Sequence, residues 1–145
     1  KGQMYDGGLR VPFIVNMPGR VAAATLNDRI YFPDVLPTLA SIAGAEEHLP
    51  SALDGVDISS LFYEEYKDVD TYSRMLYWEF PGKQRAAIRG EWKAVSVKRG
   101  APLELYRISA DPNETTDLSS LYPEVVAEMD SLMRCAHRPS PNFPE

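Results

Sequence analysis

Four short β-type runs follow one another in the second half of this chain, and no other feature restricts its fold as much. They are Met75 to Phe80, Arg85 to Arg89, Trp92 to Val97 and Leu103 to Tyr106, all but the second rich in aromatic or branched apolar residues. Pro81-Gly82 breaks the first run from the second. Gly90-Glu91 between the second and third is short enough for a hairpin. Asp111-Pro112-Asn113 is a turn signal after the fourth, so the series predicts an antiparallel sheet of about four members. Pro123 then stands where a first helical residue would, and Val125, Val126, Met129, Leu132 and Met133 recur with a period near 3.6. That helix has one apolar face, which covers the sheet.

Upstream the pattern differs. Val11 to Val15 is an apolar run between Gly7-Gly8 and Met17-Pro18-Gly19, which reads as a buried strand entered and left by turns. Asp34 to Ala43 carries Val35, Leu36, Leu39, Ile42 and Ala43 at helical spacing, with Gly44 placed as a C-terminal cap. From Ala45 to about Thr71 the chain is polar and turn-rich, a surface connection with one helical turn near Ile58, Leu61 and Phe62. The tail from Arg138 to Glu145 contains three prolines and reads as irregular.

Charge and composition exclude several classes. The 15 basic residues face 21 acidic ones with no basic run able to track a phosphate backbone, so nucleic acid is not an expected partner. No apolar stretch approaches the roughly 20 residues that span a bilayer, so no membrane partner is expected either. One cysteine, Cys135, excludes an internal disulfide and any cysteine-rich metal site. The chain starts at Lys1 rather than Met, and apolar strand-like sequence begins ten residues later, so it is expected to be a piece of a longer protein.

The opening Lys1-Gly2-Gln3-Met4-Tyr5-Asp6-Gly7-Gly8-Leu9-Arg10-Val11-Pro12 is the most informative stretch. Paired glycines permit close approach of backbone to a ligand. On composition alone the preferred reading is a tight turn into a strand with solvated charges. The stretch resembles the lysine-containing segment of the sulfatase family, usually Lys-Gly-x-x-Tyr-Glu-Gly-Gly-x-Arg-x-Pro, with Asp6 in place of the commoner Glu. The similarity continues through Phe13-Ile14-Val15, Pro18-Gly19, Asp34-Val35-Leu36-Pro37-Thr38-Leu39, Ala43-Gly44 and Asp54-Gly55-Val56-Asp57. It resumes at Ala87-Ile88-Arg89-Gly90-Glu91-Trp92-Lys93, Glu104-Leu105-Tyr106 and Asp111-Pro112-Asn113-Glu114-Thr115-Thr116-Asp117-Leu118, and so covers nearly the whole chain.

The resemblance implies an α/β protein of the alkaline phosphatase type, α+β within this piece. The terminal strand and helix of a large domain would precede a small antiparallel sheet of about four strands packed by a C-terminal helix. Residues 1–44 would end the N-terminal catalytic domain, 45–74 connect, 75–137 form the C-terminal subdomain and 138–145 the tail. The family's reaction is sulfate ester hydrolysis by a formylglycine made in a Cys/Ser-x-Pro/Ala-x-Arg motif, beside a bound Ca²⁺. That motif is absent here: Cys135 is followed by Ala136, His137 and Arg138, and reads as a small, partly buried hydrophobe. The resemblance places the nucleophile and the Ca²⁺ ligands in an N-terminal part outside this chain. No metal site and no bound cofactor are therefore expected in this segment, and the piece alone should be inactive.

Lys1 aligns with the family lysine that contacts a sulfate oxygen, where an ammonium stabilises charge that redistributes as the S–O bond breaks. Asp6 and Arg10 match too, with a structural ion pair or loop hydrogen bonds as the preferred reading. Trp78, Glu79, Lys83, Gln84 and Arg85 cluster around Pro81-Gly82 and read two ways. Either they edge a substrate pocket, an aromatic ring stacking on sugar while Lys or Arg meets an anionic group, or they are a plain hairpin with a core Trp78. His48 and His137 read as surface residues, and Trp92 as core.

Three functions stand open on these grounds. The first is a sulfatase acting on sulfated carbohydrate or aryl sulfate, completed by its N-terminal domain. The second is a related phosphonate monoester hydrolase or phosphodiesterase, and the third a non-catalytic carbohydrate- or protein-binding domain. Resemblance to sulfatases implies a periplasmic, extracellular or lysosomal location.

Overall fold

The computed structural model describes residues 2–63, 69–80, 84–98 and 100–141. The chain divides into two compact units, one made of the described residues of Lys1–Pro12 and Ser73–Glu145, the other of Phe13–Tyr72.

In the first unit, strands β1 (Leu76–Phe80), β2 (Gln84–Arg89), β3 (Trp92–Ser96) and β4 (Glu104–Arg107) form one antiparallel sheet in sequence order. Arg89 pairs with Trp92 across a turn at Gly90, whose φ of +57° is the left-handed conformation that favours glycine. The sheet is the one expected from the spacing of the β-type runs.

Both faces of the sheet are covered. Tyr77, Ala87, Ala94 and Leu105 lie in register across the four strands on one face. The long helix α3 (Pro123–Ala136) lays Met129 and Met133 against them, with Trp92, Tyr122, Val125, Val126 and Leu132 around the rim. Pro123 opens this helix, where its missing N–H costs no hydrogen bond. On the other face Ala86, Val95 and Tyr106 are covered by Met4, Tyr5 and Leu9, with Trp78 and Ile108 beside them. Alternation of side chains along a strand is what sends neighbouring residues into these two separate cores.

The N-terminal cover includes one helical turn, α1 (Asp6–Leu9), which sequence reasoning did not anticipate. Gly8 makes the turn possible: a Cβ at this position would overlap the Gln3 carbonyl. Val11 to Val15 is not a strand, although its pattern predicts one. The segment has no sheet neighbour among the described residues, and Val11 and Ile14 are 72% and 87% exposed. A lone extended segment cannot satisfy its backbone groups as a strand does.

In the second unit, helix α2 (Val35–Ala43) follows a 3₁₀ turn at Phe32–Asp34 and ends at Gly44, whose φ of +65° gives the expected left-handed cap. Asp34 is fully buried and is the hub of this unit. Its carboxylate accepts the Tyr31 and Val56 N–H groups at 2.7 and 3.0 Å. Thr38 Oγ1 donates to the Asp34 carbonyl at 2.6 Å and accepts the Ile58 N–H at 3.0 Å. Gly55 lets the connection pass close: a Cβ here would overlap the Pro33 carbonyl. The stretch beyond Ala45 is thus tied to α2 by buried polar contacts, with Ile58 and Leu61 buried.

Candidate functional site

The segment that follows Lys1 is held to the sheet at successive residues. Lys1 itself lies outside the described residues, as does Lys83. Gly2 sits near the Phe80 ring, and its carbonyl accepts a long hydrogen bond from Gln84 Nε2 at 3.4 Å. Met4 is 2% exposed in the core beneath the sheet. Tyr5 donates its hydroxyl to Glu104 Oε2 at 2.5 Å, and Tyr106 donates to the same oxygen at 2.8 Å. The two rings meet edge to face at 6.2 Å.

Asp6 completes the attachment. Its backbone N–H donates to Glu114 Oε2 at 2.6 Å, and its Oδ1 accepts from Lys93 Nζ at 2.8 Å. Lys93 also approaches Glu114 Oε1 at 2.5 Å, as an ionic contact without hydrogen-bond alignment. The Lys93 side chain is 0% exposed and that of Glu114 3%, so one buried ammonium serves two carboxylates. An ammonium out of water is tolerable only when so paired. Its place follows from strand alternation: Lys93 shares a face of β3 with Val95 and stands opposite Ile88 and Tyr106. Glu114 has φ +54°, uncommon outside glycine, and reaches inward from a turn built on Asp111. That aspartate accepts the Thr115 and Thr116 N–H groups at 2.8 and 2.9 Å, and these bonds, the Thr116 one foremost, hold its carboxyl below the usual range.

The electrostatics agree with the geometry. Burial, reinforced by the neighbouring Glu104 carboxylate, pushes the Tyr5 hydroxyl up to about 12. The same two causes raise Tyr106 further. Both phenols therefore stay protonated and donate to Glu104 at any ordinary pH.

The residues expected around the β1–β2 turn do not form one group. Trp78 and Gln84 lie on the face covered by the N-terminal segment, Trp78 packing against its core. Glu79 and Arg85 pair across the strands on the face covered by α3. There Glu79 accepts the Tyr77 hydroxyl and faces His137 Nδ1 at 2.5 Å. Burial, with Glu79 beside it, drives the Tyr77 hydroxyl far above its ordinary value. His137 is no surface residue: its side chain is 13% exposed and faces Glu79 of β1. Cys135, by contrast, is exposed rather than partly buried. Trp92 packs in the core beside Tyr122, with the Arg107 guanidinium 4.7 Å above its ring.

Asp6 is in a structural ion pair, one of the two roles expected for it, with Lys93 as its partner. The exposed Arg10 has no ion-pair partner among the described residues, and with Asp6, Gly7, Pro112 and Asn113 it lines an open depression of about 620 Å³. Sequence reasoning did not single out Lys93, Glu104 or Glu114 as the anchors of the N-terminal segment. The available signal was a lysine next to Trp92, Ala94 and Val95 in a strand-like run. Among the described residues no three His, Cys, Asp or Glu side chains are grouped so as to hold a metal ion.

Comparison with known proteins bears on this segment directly. The family described as N-sulphoglucosamine sulphohydrolase, C-terminal, matches residues 1–137. A sulfatase of Formosa agariphila is 33% identical over 139 residues, covering 85% of this chain and 25% of that protein. Arylsulfatase A of Bos taurus is 31% identical, covering 88% of this chain and 30% of its own length. A solved structure in complex with its substrate D-glucosamine-2-N,6-O-disulfate superposes with a TM-score of 0.54 at 20% identity, over 70% of this chain and 23% of that one. This chain therefore spans about a quarter to a third of the proteins it resembles.

Proposed function

The chain belongs to the sulfatase family as its C-terminal part, and from that membership we propose that the protein containing it hydrolyses sulfate esters. The observation that carries the proposal is the family match over residues 1–137, which takes in the Lys1–Pro12 segment together with the sheet that holds it. Sulfated carbohydrate is the favoured substrate class. Its support is the sulfated glucosamine named for one structural neighbour and the sulphoglucosamine named for the matching family.

In this reading Lys1 donates to a sulfate oxygen and stabilises the charge that shifts there as the S–O bond breaks. Trp78 and Gln84, on the face that holds Gly2 to Met4, stand nearer to that role than Glu79 and Arg85. The nucleophile, a formylglycine, and the Ca²⁺ belong to the N-terminal part of the protein, where they supply the attacking oxygen and the Lewis acid. The exported compartments implied by the family are part of the same proposal. No helix among the described residues is long and apolar enough to cross a membrane.

The test is turnover by the complete protein. Release of sulfate from D-glucosamine-2-N,6-O-disulfate or p-nitrophenyl sulfate supports the proposal. Preference for phosphonate monoesters or phosphodiesters, or glycan binding without turnover, overturns it.

A further inference from the structure

The proposed chemistry gives no role to three motifs that the fold brings together: Trp92-Lys93 on β3, Glu104-Leu105-Tyr106 on β4, and the Asp111–Glu114 turn. All three point polar groups at the N-terminal segment. Lys93 reaches Asp6 Oδ1 at 2.8 Å, Glu114 accepts the Asp6 N–H at 2.6 Å, and Glu104 accepts the Tyr5 hydroxyl at 2.5 Å. The charged groups are shielded, with Lys93 at 0% and Glu114 at 3% side-chain exposure.

We infer that Asp6, Lys93 and Glu114, with Tyr5 and Glu104 beside them, form an internal clamp whose role is to position the Lys1-bearing segment for catalysis. The inference rests on the sulfatase reading of Lys1. These are positioning residues, since none of them need touch substrate. A plain packing role would be met by apolar side chains, and burying a charged triad in their place adds desolvation cost without a general gain in stability. What ionic pairing does supply is direction. A backbone N–H, a carboxylate and an ammonium meeting at fixed geometry define where Asp6 sits more narrowly than apolar contact does. Met4 and Gly8 restrict the chain on either side, one by burial and the other by the close pass over Gln3. Positioning of this kind matters because misplacing a catalytic group by about 1 Å costs on the order of 10²-fold in rate.

The experiment is a mutant cycle in the complete protein, with Asp6→Asn, Lys1→Ala and the double variant assayed on p-nitrophenyl sulfate and on D-glucosamine-2-N,6-O-disulfate. The expected result is a fall in kcat of on the order of 10²-fold for Asp6→Asn, with KM changed far less. In the Lys1→Ala background the same substitution should cost little more, because the group it positions is gone. Equal losses in both backgrounds, or no loss in either, overturn the clamp while leaving the Lys1 assignment intact. Unchanged kinetics in Lys1→Ala alone would remove the sulfatase role of that lysine, and the clamp with it. Should Asp6→Asn fail to fold, Tyr5→Phe, which deletes one hydroxyl, enters the same cycle and is judged by the same coupling.

Discussion

The Lys93 ammonium and the Glu114 carboxylate face each other 2.5 Å apart in the interior, and neither side chain has appreciable contact with water. Lys93→Met removes the only cation of the cluster and leaves Asp6 and Glu114 as close, uncompensated carboxylates. Loss of a buried partner of this kind costs about 3–5 kcal/mol. Denaturant unfolding of the complete protein should show that loss, and a change below about 1 kcal/mol would mean the pair is not buried as described.

Alkaline pH should loosen the Tyr5–Glu104 contact. Tyr5 is raised from 10.0 to about 12 in the folded protein, so the folded state holds this proton more tightly than the unfolded chain. Its contribution is complete below pH 10 and is lost as pH rises through about 12. Ultraviolet difference titration should report a tyrosine ionising late, and Tyr5→Phe should flatten the fall in stability across that interval. An unaltered alkaline profile in Tyr5→Phe would exclude the residue as its source.

Acid acts elsewhere. Burial pushes the Asp117 carboxyl up, but hydrogen bonds from Leu105 N–H at 3.0 Å and Ser119 N–H at 2.9 Å outweigh it and leave the group below its ordinary 3.8. Such a group contributes fully above pH 3.8, and the contribution disappears as pH falls through its lower folded value. Asp117→Asn should reduce stability at neutral pH by about 1 kcal/mol and remove that part of the acid dependence. Equal acid sensitivity of the variant and the parent would contradict this.

Gly55→Ala tests the second unit. Its new methyl would meet the Pro33 carbonyl, and the backbone has to shift to admit it. Overpacking of this sort costs about 1–3 kcal/mol, to be read from the thermal midpoint. The exposed Gly7, where a Cβ meets nothing within 4 Å, is the control and should tolerate alanine far better.

The chain by itself should show no turnover of p-nitrophenyl sulfate, because the proposed nucleophile and Ca²⁺ lie elsewhere. Lys1→Ala in the complete protein should lower kcat about 10²–10³-fold with the fold preserved. Hydrolysis by the pure chain, or kinetics unaffected by the substitution, would refute the division of labour proposed above.

The sheet and α3 were readable because their signals are local: aromatic and branched apolar residues in Leu76–Phe80 and Trp92–Ser96, a two-residue break at Gly90-Glu91, and a 3.6-residue period after Pro123. The cap at Gly44 was readable for the same reason. Val11–Val15 was misread, since an apolar run reports a wish for burial but not whether a neighbouring strand is present. The clamp was hidden because its members are brought together only by tertiary structure. Asp6 and Glu114 stand 108 residues apart, and no periodicity links them. His137 was misplaced for a related reason: its partner Glu79 sits on a different element.

The distance along the chain between Asp6 and Glu114 also sets an order of events during synthesis. A ribosome adding about 5–20 residues each second needs roughly 5–20 s to make the intervening polypeptide. Through that interval Asp6 has been made but its acceptor Glu114 has not. Completion of the Asp6–Lys93–Glu114 cluster must await residue 114, so a chain stalled before the Asp111 turn would leave Asp6 and Lys93 without their second carboxylate partner and the segment more open to proteases and chaperones.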